Sequence, residues 1–93
     1  MAVSREFVIQ NKIGLHARPA SLFVKAASGF AAQITLENLS KGRKPVNAKS
    51  IMGLLTAAAR ANDRIRLTAD GSDEEAAIKA LSELIDNRFG ETE

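Results

Sequence analysis

His16, Arg18 and Pro19 stand together in "NKIGLHARPASLFVKAA", residues 11–27, and His16 is the only histidine in the chain. An imidazole nitrogen can act as a nucleophile. A guanidinium two residues away can grip phosphate oxygens in bidentate fashion. Pro19 suits the first turn of a helix, where a missing N–H costs nothing. The amides of Ala17 and Arg18 would then point out from the positive end of the helix dipole, where an anion is held well. Gly14 allows the backbone to fold closely over such a site. The chemistry this points to is the handling of a phosphoryl group. An ordinary surface histidine with a satisfied hydrogen bond fits the same residues, so spacing leaves both readings open.

Ser50, in "KSIMG", is the second candidate. A serine at a helix start is a common N-cap, and it is also a hydroxyl that can be phosphorylated. Short serine contexts decide little between the two. Neighbouring Ile51, Met52 and Leu55 are apolar, and one short helix cannot bury them all. The expectation is that Leu54 and Ala58 point inward, while Met52 and Leu55 stay partly exposed as an adaptable docking patch. On the preceding helix, Ala17, Ser21, Lys25 and Ser28 recur at helical spacing and form a small, polar stripe on one face.

These residues need elements to position them. "REFVIQ" alternates Phe7 and Ile9 with polar neighbours and reads as a strand. After a turn at "NKIG", "ARPASLFVKAASG" reads as a helix with Ala20, Phe23, Val24 and Ala27 as its apolar stripe, stopped by Gly29 at positive φ. "AAQITLEN" is a second strand, with Ala32, Ile34 and Leu36 on one face. A polar turn around Gly42 leads to a short third strand at "PVN", with Pro45 at its start or edge. "KSIMGLLTAAARAN" is a second helix, made less regular by Gly53. "RIRLTA" is a fourth strand. Ser72 and Glu75 have capping-box spacing ahead of a last helix, "EEAAIKALSELIDNRF", with Ala77, Ile78, Leu81, Leu84 and Ile85 inward. Acidic residues at its start and Arg88 near its end favour the dipole. The order βαββαβα, with one apolar face per element, packs most economically as an α+β fold: a single sheet with all helices on one side.

Composition narrows the classes. The 93 residues suit one domain, 1–93, and the 45% hydrophobic content is that of a globular chain. With no cysteine, a disulfide scaffold and a thiolate zinc site are excluded. The longest apolar runs fall short of a bilayer span and the N-terminus lacks a secretory core, so a cytoplasmic protein with no direct membrane insertion is expected. A net charge of +2 does not point to nucleic acid. The chain also lacks a G-x-x-G loop and the Tyr, Trp or Phe-rich strand of an RNA-stacking domain.

The motif "GLHARPA" resembles the active-site signature of HPr, the histidine-containing phosphocarrier family of the bacterial phosphoenolpyruvate-dependent sugar phosphotransferase system. "KSIMG" is similar to the regulatory serine segment of members controlled by a kinase. The resemblance covers essentially the whole chain. It implies an open-faced β-sandwich, a four-stranded antiparallel sheet under three helices. It implies that His16 accepts phosphate on Nδ1 from phospho-enzyme I and passes it to IIA domains of sugar permeases. Arg18 would neutralise the moving group, and the amides of Ala17 and Arg18 would hold its oxygens. Such a chain is a carrier and not an enzyme. Ser50 would be the target of the bifunctional HPr kinase/phosphorylase, with a transcriptional regulator as a further partner and carbon catabolite regulation as the context. Ser21, Lys25, Ser28, Ile51, Met52 and Leu55 would form the docking surface of a monomer.

One departure is the segment "ENLSKGRKPVN", longer by a few residues than is usual in the family and carrying Lys41, Arg43 and Lys44. Extra length in a turn is thermodynamically cheap. Two alternatives remain: the nitrogen-branch phosphocarrier, which shares the histidine signature but typically lacks the "KSIMG" context, and a mainly regulatory HPr-like protein, a class whose members lack the histidine.

Overall fold

The computed structural model describes residues 2–10, 16–87 and 89. The turn expected at "NKIG", Gly14 within it, and Arg88 lie outside the described residues. The elements run β1 (Val3–Val8), α1 (Ala17–Ser28), β2 (Gln33–Asn38), β3 (Val46–Asn47), α2 (Ile51–Ala57), β4 (Arg64–Asp70) and α3 (Glu74–Asp86). The strands form one antiparallel sheet in the order β1-β4-β2-β3.

Period-two alternation sets the two faces of this sheet. Phe7, Ile34, Leu36, Ile65, Leu67 and Ala69 are buried and join one core with Ala20, Phe23, Leu54, Ala77, Leu81 and Ile85 from the three helices. The opposite face is polar. There Ser4 and Thr68 hydrogen-bond through their hydroxyls at 2.9 Å, and Arg66 reaches Glu37 and Glu6 at 3.3 and 3.5 Å. The result is a sheet with helices on one face only.

Several local expectations need correction. β1 starts at Val3, because its register with β4 pairs Val3 with Ala69, and it ends at Val8. Gly29 is the C-cap of α1 but has φ −76°; its N–H donates to the Ala26 carbonyl and that of Phe30 to the Ala27 carbonyl, so no positive φ is used. α2 ends at Ala57, and Ala58 is not an inward helical residue but the left-handed C-cap, φ 54°. The inward pair is therefore Leu54 and Ala57.

Ser72 and Glu75 make no capping box. The N-cap of α3 is Asp73. Its carboxylate is already engaged by the N–H groups of Ala31 and Ala32, at 2.8 and 2.9 Å, and Glu74 accepts from the Gly71 amide at 3.0 Å instead. These bonds fasten the start of α3 to the start of β2. Gly71 permits the approach: a Cβ there would lie 2.6 Å from the Cα of Ala32. The Asp73 pKa is lowered, first by the Ala31 amide, against a smaller opposing desolvation, then by the Ala32 amide, its own backbone and Lys49.

Candidate functional site

His16 is the N-cap of α1, in extended conformation with φ −111° and ψ −170°. Its carbonyl accepts the first helical bond from the Ala20 amide at 2.9 Å. Pro19 and Ala20 are buried and anchor the first turn to the core. His16 itself is half-buried, while Ala17 and Arg18 are exposed. Helix geometry gives the amides of Ala17 and Arg18 no intrahelical acceptor. No acidic side chain stands in the first turn of α1, so nothing there opposes the positive end of the dipole.

The other candidates divide by helix face. Ser21, Lys25 and Ser28 all lie on the exposed side of α1, with Ala17. Leu22 is also exposed, and the sequence reading missed it. It sits one turn after Arg18 and outside the apolar stripe, which is the signal that could have found it. α1 packs against α2.

On α2, Ile51, Met52 and Leu55 are 42%, 73% and 37% exposed, whereas Leu54 is fully buried. The expected split of an apolar helix into a core side and an open side is present, and Ile51 joins the open side. Ser50 is the N-cap: its hydroxyl accepts from the Gly53 amide at 3.0 Å. Gly53 eases this closure, since a Cβ there would lie 3.1 Å from the Asn47 carbonyl oxygen, a tight contact with the atom that accepts the Ser50 N–H at 3.1 Å.

The segment between β2 and β3 turns out to be tied down. Asn38 is fully buried. Its Nδ2 donates to the Ala57 carbonyl at 3.0 Å and to the Asp63 carboxylate at 3.2 Å, and its Oδ1 accepts from the Lys41 amide at 3.2 Å. Lys41 Nζ forms a salt bridge with Asp63, which also accepts the Arg60 amide at 3.0 Å. Burial raises the Asp63 pKa, but the bonds from Lys41, Arg60 and Asn38 outweigh it and hold the carboxyl below its ordinary value. Arg43 Nη1 donates to the Thr56 carbonyl at 3.4 Å. A helix leaves its last carbonyls without intrahelical partners. Here Ala58 N–H serves Leu55, Arg43 of the basic loop serves Thr56 and Asn38 at the end of β2 serves Ala57, so the β2 end and the loop after it help cap α2.

Among the described residues no group of three or more His, Cys, Asp or Glu could hold a metal ion. None of their helices is long and apolar enough to cross a membrane.

Comparison with known proteins identifies the family. The family model for the PTS HPr component phosphorylation site matches residues 3–87. Phosphocarrier protein HPr of Xylella fastidiosa is 47% identical over 89 residues, covering 96% of this chain and 97% of that protein. The crystal structure of HPr from Thermoanaerobacter tengcongensis superposes with a TM-score of 0.91 at 48% identity, covering 98% of this chain and 99% of that one. HPr from Bacillus anthracis gives 0.83 at 43% identity, covering 90% and 96%. With its motif at the start of α1 and its open-faced sheet, the chain belongs to the HPr family, the phosphocarriers of the phosphotransferase system.

Proposed function

We propose that His16 is the phosphoryl acceptor, taking the group from phospho-enzyme I and passing it to a IIA domain. The observation that carries this reading is the position of the chain's one imidazole at the N-cap of α1, beside the amides and guanidinium of its first turn. In each transfer one nitrogen–phosphorus bond breaks as another forms, so the phosphoryl group moves between proteins with no net hydrolysis. Arg18 offsets the charge on the equatorial oxygens, and the Ala17 and Arg18 amides orient them. The exposed side of α2, together with Ser21, Lys25 and Ser28, receives the partner, and Met52 is the most protruding contact. The chain works as a carrier in the cytoplasm, as a monomer and single domain.

Ser50 is the regulatory position, a target for an HPr kinase/phosphorylase. Support comes from the "KSIMG" context and from its place beside Ile51 and Met52, where a dianion would alter the docking surface. The same context favours the carbon branch over the nitrogen branch, with a transcriptional regulator as a reader of the phosphoserine form.

The test is incubation with phosphoenolpyruvate and enzyme I, read by intact mass before and after acid treatment. Wild type should gain one acid-labile phosphoryl group and His16→Ala none, while retaining its fold because the backbone carbonyl that starts α1 is unchanged. Acid-labile labelling of His16→Ala would assign the acceptor elsewhere.

A further inference from the structure

The loop that caps α2 also changes the charge of the surface beside it. From Asn38 to Asn62 the chain carries Lys41, Arg43, Lys44, Lys49 and Arg60 and no acidic residue, and residues 7–36 also contain no Asp or Glu. Outside these stretches, Asp63 pairs with Lys41, Glu6 and Glu37 lie on the polar sheet face, and Asp73, Glu74 and Glu75 stand at the start of α3. Residues 38–62 are therefore a locally cationic stretch that includes α2.

Within the loop the cations have different duties. Lys41 is neutralised by Asp63. Arg43 and Lys44 are exposed, and Arg43 is fixed at the last turn of α2 by its bond to Thr56. Thr56 in turn donates its hydroxyl to the Met52 carbonyl at 2.7 Å. A held guanidinium thus stands at one end of the apolar patch of Ile51, Met52 and Leu55. The knot of Asn38, Lys41 and Asp63 fixes the base of the loop, so less ordering is needed when a partner binds.

We propose that the 39–44 loop is a partner-selecting arm, in which Arg43 and Lys44 extend the docking face past the end of α2. They match a protein whose apolar cleft for Met52 is edged by carboxylates. This rests on the reading that the α1–α2 side receives the phosphoryl donor. Charge complementarity is the ground for the choice: Asp63 is spent on Lys41, and an apolar patch edged by the two further cations Arg43 and Lys44 repels a basic surface and steers an acidic one. Charges at a rim act mainly on the association rate and its salt dependence.

The test separates this role from simple capping. Arg43→Gln with Lys44→Gln removes both charges while leaving an amide donor near Thr56. Binding to purified bacterial enzyme I and labelling by phosphoenolpyruvate are each measured at low salt and at about 0.5 M NaCl, where screening is nearly complete. The double variant should bind and be labelled about 3- to 10-fold less efficiently at low salt, with the gap closing at high salt and the melting temperature unchanged. Lys79→Gln, on α3, is the control and should show no such loss. A loss that persists at high salt, accompanies a fall in melting temperature, or equals that of the control would overturn the arm and leave a structural cap. Tighter retention of the wild type by RNA or anionic vesicles than by enzyme I would also overturn it. Binding of wild type without labelling would defeat the acceptor reading alone. Normal labelling with unaltered binding in the double variant would defeat the arm alone.

Discussion

The Nδ2 of Asn38 lies 3.0 Å from the carbonyl oxygen of Ala57 and donates to it. A fully buried amide on β2 thereby closes the end of the helix that carries Met52 and Leu55. Asn38→Ala leaves that carbonyl and one side of Asp63 unsatisfied in a buried place. We expect a loss of about 2–3 kcal/mol, the order for stranded buried polar groups, read by urea unfolding. A loss below half a kcal/mol would show that water replaces the amide there.

Ala58 and Ala57 are neighbours with opposite requirements. Ala58 has φ 54°, a conformation that costs a residue with a Cβ about 1–2 kcal/mol. Ala57 is helical and 1% exposed. Ala58→Gly should stabilise the protein by about 0.5–1 kcal/mol after glycine's extra chain entropy is subtracted, while Ala57→Gly should cost about 1 kcal/mol. Thermal unfolding of the two variants should move in opposite directions.

Arg18 is exposed on the first turn, and in the proposed mechanism it acts only on the group in transit. Arg18→Ala should slow His16 phosphorylation by about 2–4 kcal/mol of transition-state stabilisation, the order for one preorganised donor, with the amides of the helix start still in place. The check is single-turnover labelling by phospho-enzyme I; an unaltered rate removes Arg18 from the mechanism.

Ser50 has a structural duty as well as the proposed regulatory one, because its hydroxyl accepts the Gly53 amide. Ser50→Ala should cost about 1 kcal/mol of stability through the lost cap and leave transfer intact. Ser50→Asp keeps an acceptor for that amide, so its melting temperature should stay near wild type. Its charge beside Ile51 and Met52 should still slow transfer from enzyme I. Equal transfer rates in both variants would leave Ser50 as a cap only.

Acid should act through Asp63 and Asp73, both of whose carboxyls are held below the ordinary value. Such a group binds fewer protons folded than unfolded. Its contribution is whole above the unfolded pKa of about 3.9 and is lost as pH falls through the folded value. Stability should therefore be flat from neutrality to about pH 5 and drop below pH 4. Asp63→Asn should lower stability at pH 7 and flatten that acid slope, as followed by urea unfolding across pH. An unchanged slope would place the acid sensitivity outside this carboxyl.

Much of this architecture could be read from periodicity. Phe7, Ile34, Leu36, Ile65 and Leu67 alternate cleanly because one face of their sheet meets helices and the other meets water. The helix of Ala20, Phe23 and Ala27 declared itself in the same way. Apart from the helix ends at Gly29 and Ala58, where the misreading was local, the failures share one cause: their partners are distant in sequence. Asp73 does not act as a side-chain cap because Ala31 and Ala32 claim its carboxylate, from some forty residues back. Asn38 resembles any polar strand end until Ala57 and Asp63 are placed around it. Lys41 and Arg43 look like a solvated charge run, though one meets Asp63 and the other caps a helix. His16 and Ser50 stood out by motif resemblance, since spacing alone could not separate a reactive side chain from a capping one.

The strand order has a consequence for synthesis of the carrier. β1 emerges first, yet its sheet partner among the described residues is β4, with Val3 opposite Ala69 and Val8 opposite Arg64. His16 lies in the connection from β1 to α1. A growing chain that has not yet reached Asp70 offers β1 no neighbour, so one flank of that connection is unanchored. Contacts of such long sequence separation form late in folding. The ribosome must therefore deliver about three-quarters of the chain before His16, the proposed phosphoryl acceptor, has both flanking elements in their finished places.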